Sequence, residues 1–221
     1  MAVLHKVVQG EHISGIAKEY GFTDYLPVWV HPKNARLRNL RKDPNILLPG
    51  DMVFVPDLGK KTLPRPTEKR HKFLLRGTQL MLRIKLGHAY AQPMKNAPCD
   101  LLIDSEQKKL RTDGDGKLAE KISKSAKDAL LMVKESVQIK GKPAQLRFKI
   151  ATRIGHLNPL DEPSGQIVRL ANLGYYRLDG EVVDNAEFLS AVEEFQCENG
   201  LTVDGVCGPV TQAKLKAVYG C

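Results

Sequence analysis

Aromatic side chains are scarce, at 6% of 221 residues with one tryptophan, Trp29. Proteins that read bases pair positive charge with stacking platforms and a recognisable module; no such module appears, so nucleic acid is not expected as a partner. The four cysteines, Cys99, Cys197, Cys207 and Cys221, are few and scattered and contain no Cys-x-x-Cys pair, which excludes a disulfide framework and a structural zinc site. No stretch approaches the roughly 18–20 consecutive apolar residues of a membrane helix, so no membrane partner is expected. The opening residues, MAVLHKVVQGEH, lack the apolar core of about 7–15 residues that a secretory signal carries, so synthesis in a reducing cytoplasm without a signal peptide is the expectation. None of the six histidines, His5, His12, His31, His71, His88 and His156, sits in a zinc-protease or comparable metal spacing with a carboxylate, so no metal or cofactor is expected. With 42% apolar and 27% charged residues, the chain is nevertheless of ordinary globular composition.

Positive charge is in excess and unevenly placed. The net charge of +9 divides into +1 over residues 1–57, +9 over 58–98, +5 over 99–155 and −6 over 156–221. The basic run is a solvated tether or a patch for an anionic partner.

Three segments follow from pattern. In the first, Val3, Leu4, Val7 and Val8 form a short apolar run stopped by Gly10. Ile13, Ile16, Ala17 and Tyr20 then recur at helical spacing, with Gly21 at the place of a cap. A second helix over 25–40 breaks or restarts at His31-Pro32, because proline suits a first turn and not an interior. Asp43-Pro44-Asn45 and Leu48-Pro49-Gly50-Asp51 are turn signals, and Met52-Val53-Phe54-Val55 is a strand ended by Pro56.

The string Val7-Val8-Gln9-Gly10-Glu11-His12-Ile13-Ser14-Gly15-Ile16-Ala17, closed by Leu48-Pro49-Gly50-Asp51-Met52-Val53-Phe54-Val55-Pro56, resembles a LysM domain. Glu11, His12 and Ile13 stand where that family usually has Asp, Thr and Leu. The resemblance implies binding of N-acetylglucosamine-containing glycans in a shallow groove, with Gly10, Glu11, His12 and Ile13 on one lip. Asn45, Ile46, Leu47, Leu48 and Pro49 form the other. Loop backbone would meet the sugar amides, and Ile46 and Leu47 the acetyl methyl. The alternative is that Ile13, Ile16 and Leu47 are core.

In the last segment, Ile167, Leu170, Ala171 and Leu173 mark a helix ended by Gly174. Phe188, Val192 and Phe195 mark a second over about 186–199, and a third runs 210–218 behind Pro209. Phe195-Gln196-x-x-Asn199-Gly200-Leu201-x-Val203-Asp204-Gly205-x-x-Gly208-Pro209-x-Thr211 closely resembles the peptidoglycan-binding three-helix domain of many cell-wall hydrolases. The resemblance implies a second wall-binding module, with Tyr175, Tyr176, Asp179, Gln196, Asn199 and Asp204 as candidate contacts. Alternatively, most of the motif builds the fold, Asp204 bonding backbone N–H groups of its own loop. Leu178-Asp179-Gly180 answers Val203-Asp204-Gly205 as a half-repeat that departs from the pattern at Val183-Asp184-Asn185.

Between these, short strands are read at 73–75, 79–86, 100–103, 129–133 and 145–150, at spacings of a β-sandwich. Thr112-Asp113-Gly114-Asp115-Gly116-Lys117-Leu118 is a hairpin or loop. It is not a calcium loop, since no acidic residue stands where the 12-residue EF-hand needs its bidentate Glu. The expected fold class is thus multidomain α+β: a βααβ unit at 1–57, a basic proline-containing linker at 58–65, a small β-sandwich at 66–152 and a three-helix bundle at 156–221.

No enzyme is expected. Cys99 opens an apparent strand and reads as a buried thiol, and no catalytic motif surrounds Glu106, Glu120 or Glu135. The expected function is non-catalytic binding of peptidoglycan glycan strands. The long LysM-like form, the sandwich and Gly155-His156-Leu157-Asn158-Pro159-Leu160 before the bundle resemble bacterial proteins of contractile injection machines, including type VI secretion. That implies an accessory or cargo delivered to the periplasm or outside, with a spike or baseplate protein as partner. Two alternatives stay open: an adaptor whose end modules bind protein, and a cell-wall hydrolase with an unrecognised central domain.

Overall fold

A computed structural model describes residues 2–59, 64–72, 78–88, 92–139, 142–178 and 185–221. In the first element, β1 (Val3–Lys6) and β2 (Met52–Val55) pair antiparallel, with Val3 opposite Val55 and Lys6 opposite Met52. Between them run α1 (Ile13–Glu19), α2 (Leu26–Trp29), a 3-10 turn (Pro32–Asn34) and α3 (Ala35–Arg41). The expected break at His31-Pro32 is there: the backbone turns at His31, whose ring nitrogen accepts from Lys33 N, and Pro32 opens the turn. Ile13, Ile16 and Ala17 of α1 bury against Val28, Trp29, Leu37, Leu47, Val53 and Val55.

Polar side chains lock this small core. Asn34 is 1% exposed, its amide donating to Val28 O and Phe54 O at 2.8 Å while its carbonyl accepts from Phe54 N. The 3-10 turn is thereby tied to β2, and both the nitrogen and the oxygen of the buried Asn34 amide are hydrogen-bonded, which offsets the penalty of burying it. Arg41 grips Asp51 through two nitrogens at 2.8 and 3.0 Å, and Asp51 also accepts from Leu48 N. Asp51 thereby holds the turn that precedes β2.

The central segment is two antiparallel sheets over one core. β3 (Leu80–Lys85) pairs with β6 (Lys117–Ile122). β4 (Pro98–Ile103), β5 (Glu106–Arg111), β7 (Asp128–Ile139) and β8 (Lys142–Arg153) form the other sheet, in the order β5-β4-β7-β8. Leu101, Ile103, Leu131 and Val133 of the larger sheet bury with Leu118 and Leu86 from the smaller pair and its continuation. The acidic loop before β6 is a turn, as expected: Asp113 accepts from Asp115 N and Lys117 N at 2.8 Å. The strand read at 73–75 lies outside the described residues.

The C-terminal segment is α4 (Pro163–Leu173), α5 (Asn185–Glu198) and α6 (Pro209–Tyr219), packed through Ile167, Leu170, Val192, Phe195 and Leu215. The chain is thus mixed α+β, and it divides into two compact units, Met1–His156 and Leu157–Cys221. Among the described residues no helix is long and apolar enough to cross a membrane.

Candidate functional site

The first candidate site is built where β1 leads into α1. His12 is the N-cap of α1: its Nδ1 accepts from Gly15 N at 3.2 Å. The imidazole takes the capping role that a hydroxyl usually fills. It is buried, and burial holds its pKa below the ordinary histidine value against a smaller opposing pull from Glu11. Glu11 itself is anchored. Its Oε2 accepts from Val8 N at 2.8 Å and meets His5 Nε2 at 2.9 Å, and His5 Nδ1 lies 3.2 Å from the Tyr20 hydroxyl.

The opposing loop precedes β2. Asp43 accepts from Asn45 N at 2.8 Å, Asp51 N bonds Leu48 O, and Gly50 N bonds Val7 O. Ile13 N donates to Pro44 O at 3.0 Å, so the two lips are joined at their base.

This geometry sorts the nine lip residues. Asn45 and Pro49 are exposed, and Gly10, Glu11, Ile46 and Leu48 are half-buried. Ile13 at 0% and Leu47 at 3% exposure belong to the core, and His12 is buried with them. Leu47 is therefore unavailable as an apolar contact: the loop turns its side chain inward, and Ile46 and Leu48 are the partly exposed apolar groups there. A residue not anticipated at this lip is His156. A Cβ on Gly10, whose φ is +93°, would stand 2.9 Å from His156 Nε2, and a Cβ on Gly155 would collide with Gly10 O. Both glycines are required by this close approach. The only sequence signal for it was Gly155-His156 itself.

The second candidate site surrounds Gln196, which is 1% exposed. Its amide nitrogen lies 2.7 Å from Asp204 Oδ1, 3.0 Å from Val206 O and 3.0 Å from Thr211 Oγ1. Its carbonyl accepts from Asp204 N and Gly205 N, both at 3.0 Å. Asp204 in turn accepts from Val206 N at 2.9 Å. These backbone and side-chain donors hold its carboxyl below the usual range. Gln196 is thus an internal strut that shapes the loop and has no surface to offer a ligand.

Tyr176 is buried as well. Tyr175 donates its hydroxyl to Glu198 at 2.6 Å and stands edge-on to Phe195. Burial, with the Glu198 carboxylate beside it, pushes its pKa up to about 12. Asn199 donates to Phe195 O at 2.9 Å. Asp179 lies outside the described residues. What the loop presents outward, besides Asp204, is a run of exposed apolar side chains that sequence reasoning passed over: Val203, Val206 and Val210 at 52%, 60% and 71% exposure. Their i, i+3, i+7 spacing is that of a helix face, but Val203 and Val206 lie in the turn-rich loop ahead of α6, so the pattern marks no helix there.

Arg169 was equally unforeseen. It is buried on α4, with Nη1 donating to Asn158 O and Gly165 O and Nε to Cys221 O. Among the described residues, no group of three or more His, Cys, Asp or Glu side chains could hold a metal ion. Burial raises the thiols of Cys99 and Cys207, the latter to about 11, away from the thiolate form that a nucleophile needs.

Residues 168–215, from within α4 to Leu215 of α6, match the family model described as "Putative peptidoglycan binding domain". The C-terminal helical segment is similar to that family, whereas the N-terminal β-α-α-β element carries no match to the LysM family. No curated protein and no solved structure matches the chain.

Proposed function

We propose that the chain is a non-catalytic peptidoglycan-binding protein that holds the wall polymer through both ends. The observation that carries this reading is the match of the C-terminal helices to a peptidoglycan-binding family. There the Gln196 strut fixes the Asp204 loop and its exposed valines as a preformed surface. Support for the N-terminal half comes from the LysM-like motif and the two-lipped element it folds into, with Ile46, Leu48, Asn45 and Pro49 accessible to an N-acetyl sugar. Two weak sites on one chain gain from effective concentration, on the order of 100-fold when both engage one polymer.

The reading as a binder and not a hydrolase rests on where the reactive groups lie. The Glu11 carboxylate is committed to its own loop, and the Cys99 and Cys207 thiols are held protonated. Incubation with purified sacculi tests it: the polymer stays intact, and release of soluble muropeptides overturns it.

The proposed cellular setting is supported by the motif combination read in the sequence, which resembles that of contractile injection proteins. The chain is an accessory or cargo of such a machine. Flanking genes for spike, sheath or baseplate components support this, and a neighbourhood of ordinary secreted hydrolases removes it.

A further inference from the structure

Inside the first compact unit lies an open cleft of about 420 Å³ where the end of α1 meets the turn between β6 and β7. It is lined by Lys18, Phe22, Thr23, Thr78 and Lys124 among others. The junction is close-fitting: a Cβ on Gly15 of α1 would stand 3.3 Å from Lys124 O, tighter than ordinary contact. The two lysines reach across it in opposite directions. Lys18 Nζ donates to Ser125 Oγ at 3.0 Å, and Lys124 Nζ donates to Thr23 O at 2.7 Å.

Both acceptors are uncharged, and among the described residues neither ammonium group forms an ion pair with a carboxylate. Asp24, the acid bonded to Thr78 Oγ1 and to Leu26 N, does not line the cleft. The cleft therefore holds two ammonium groups that form no ion pair with a carboxylate, hydroxyl and carbonyl groups from two threonines, and the half-buried side chain of Phe22. The Asp24 carboxylate behind the Thr78 hydroxyl offsets part of the positive charge. Converging cations in a concave site raise the local concentration of anions. Each lysine has three donors, of which one is used here, so donors remain for an incoming oxygen.

We infer that this cleft binds a carboxylate-bearing short peptide, the chemistry of the peptides that cross-link the wall glycan. The inference rests on the peptidoglycan reading above and extends it from sugar to peptide. The ammonium groups of Lys18 and Lys124 take the carboxylates, and the Phe22 ring takes the small aliphatic side chains between them. The site is separate from the lips at Gly10 and Asn45, so the two parts of the polymer are read by different residues.

The test is calorimetric titration of the full chain with the tripeptide L-alanyl-γ-D-glutamyl-meso-diaminopimelate. The controls are its fully amidated form, inorganic phosphate and an N-acetylglucosamine tetramer. The peptide is expected to bind. Amidation, or Lys18→Gln with Lys124→Gln, weakens it by at least about tenfold, the scale of one lost charge-assisted hydrogen bond. Tetramer binding is unchanged by the lysine substitutions. Lys124 also bridges the junction, so the amidated probe, measured on the unaltered protein, keeps the test valid if the double variant folds poorly. Absence of peptide binding, equal binding of the amidated form, or phosphate binding as tight as peptide overturns the assignment. Loss of peptide binding alone, with sacculus and tetramer binding intact, sinks the cleft and leaves the glycan reading standing.

Discussion

Replacing Gln196 with methionine keeps the side chain's length while removing its hydrogen bonding. The structure assigns that amide bonds to Asp204, Val206 O and Thr211 and its carbonyl bonds to two successive backbone N–H groups. At about 1 kcal/mol net per bond, complete loss sets a ceiling of about 5 kcal/mol. Asp204 is exposed and Gly205 half-buried, so water replaces part of what is lost there. Thr211 Oγ1 is buried and keeps only a 3.3 Å bond to Val206 O. The expected cost is on the order of 3 kcal/mol. For a unit of this size that lowers Tm by roughly 15 °C, at about 4–8 °C per kcal/mol. Thermal unfolding followed by circular dichroism reads this directly, because α4, α5 and α6 carry most of the helical signal. A shift below about 3 °C refutes the assignment of Gln196 as the strut of the loop.

Acidification should destabilise the N-terminal element through His12. Its folded pKa is depressed, so the unfolded chain takes up the proton first, and stability is lost as pH falls below the unfolded histidine value of about 6.5. Urea unfolding at pH 7.5 and 5.5 should show the drop, and His12→Thr, which keeps an N-cap acceptor, should flatten it; an equal slope in the variant contradicts the role. Leu47→Asp puts a carboxylate into the core and is expected to cost at least about 3 kcal/mol. Ile46→Asp should leave Tm nearly unchanged while weakening binding of N-acetylglucosamine oligomers, and the reverse pattern contradicts the sorting of the lip. Maleimide labelling read by mass spectrometry should modify exposed Cys197 first and buried Cys99 last; fast labelling of Cys99 refutes its burial.

The helices were legible where burial has a period. Ile13, Ile16 and Ala17 announced α1 because one face of a short helix must enter the core, and His31-Pro32 announced the break. The larger sheet was only half legible. β5, Glu-Gln-Lys-Lys-Leu-Arg, is an edge strand with mostly exposed side chains, so its membership comes from backbone pairing with β4. β7 runs on to Ile139, well beyond the apolar stretch at 129–133, because β8 pairs with it throughout.

At the candidate sites, the loops were legible as loops, but the direction of individual side chains was not. The motif around Asp204 was visible, and so was its bonding to its own loop. That Gln196 points inward depends on where Val206 O and Thr211 arrive. Asn34 and Arg169 stayed hidden for the same reason: a buried polar residue is satisfied by backbone groups distant in sequence, such as Phe54 O and Cys221 O. Likewise His156 meets Gly10 only once the central sheets are in place.

The central claim is that this chain holds the wall polymer, and co-sedimentation with purified sacculi measures it most directly. The full chain is incubated with increasing sacculi at physiological salt, and the pelleted fraction is followed. Saturable pelleting is predicted, weakened by N-acetylglucosamine oligomers and by charge placed among the exposed valines, as in Val206→Asp. Protein that stays in the supernatant at every sacculus concentration contradicts the account.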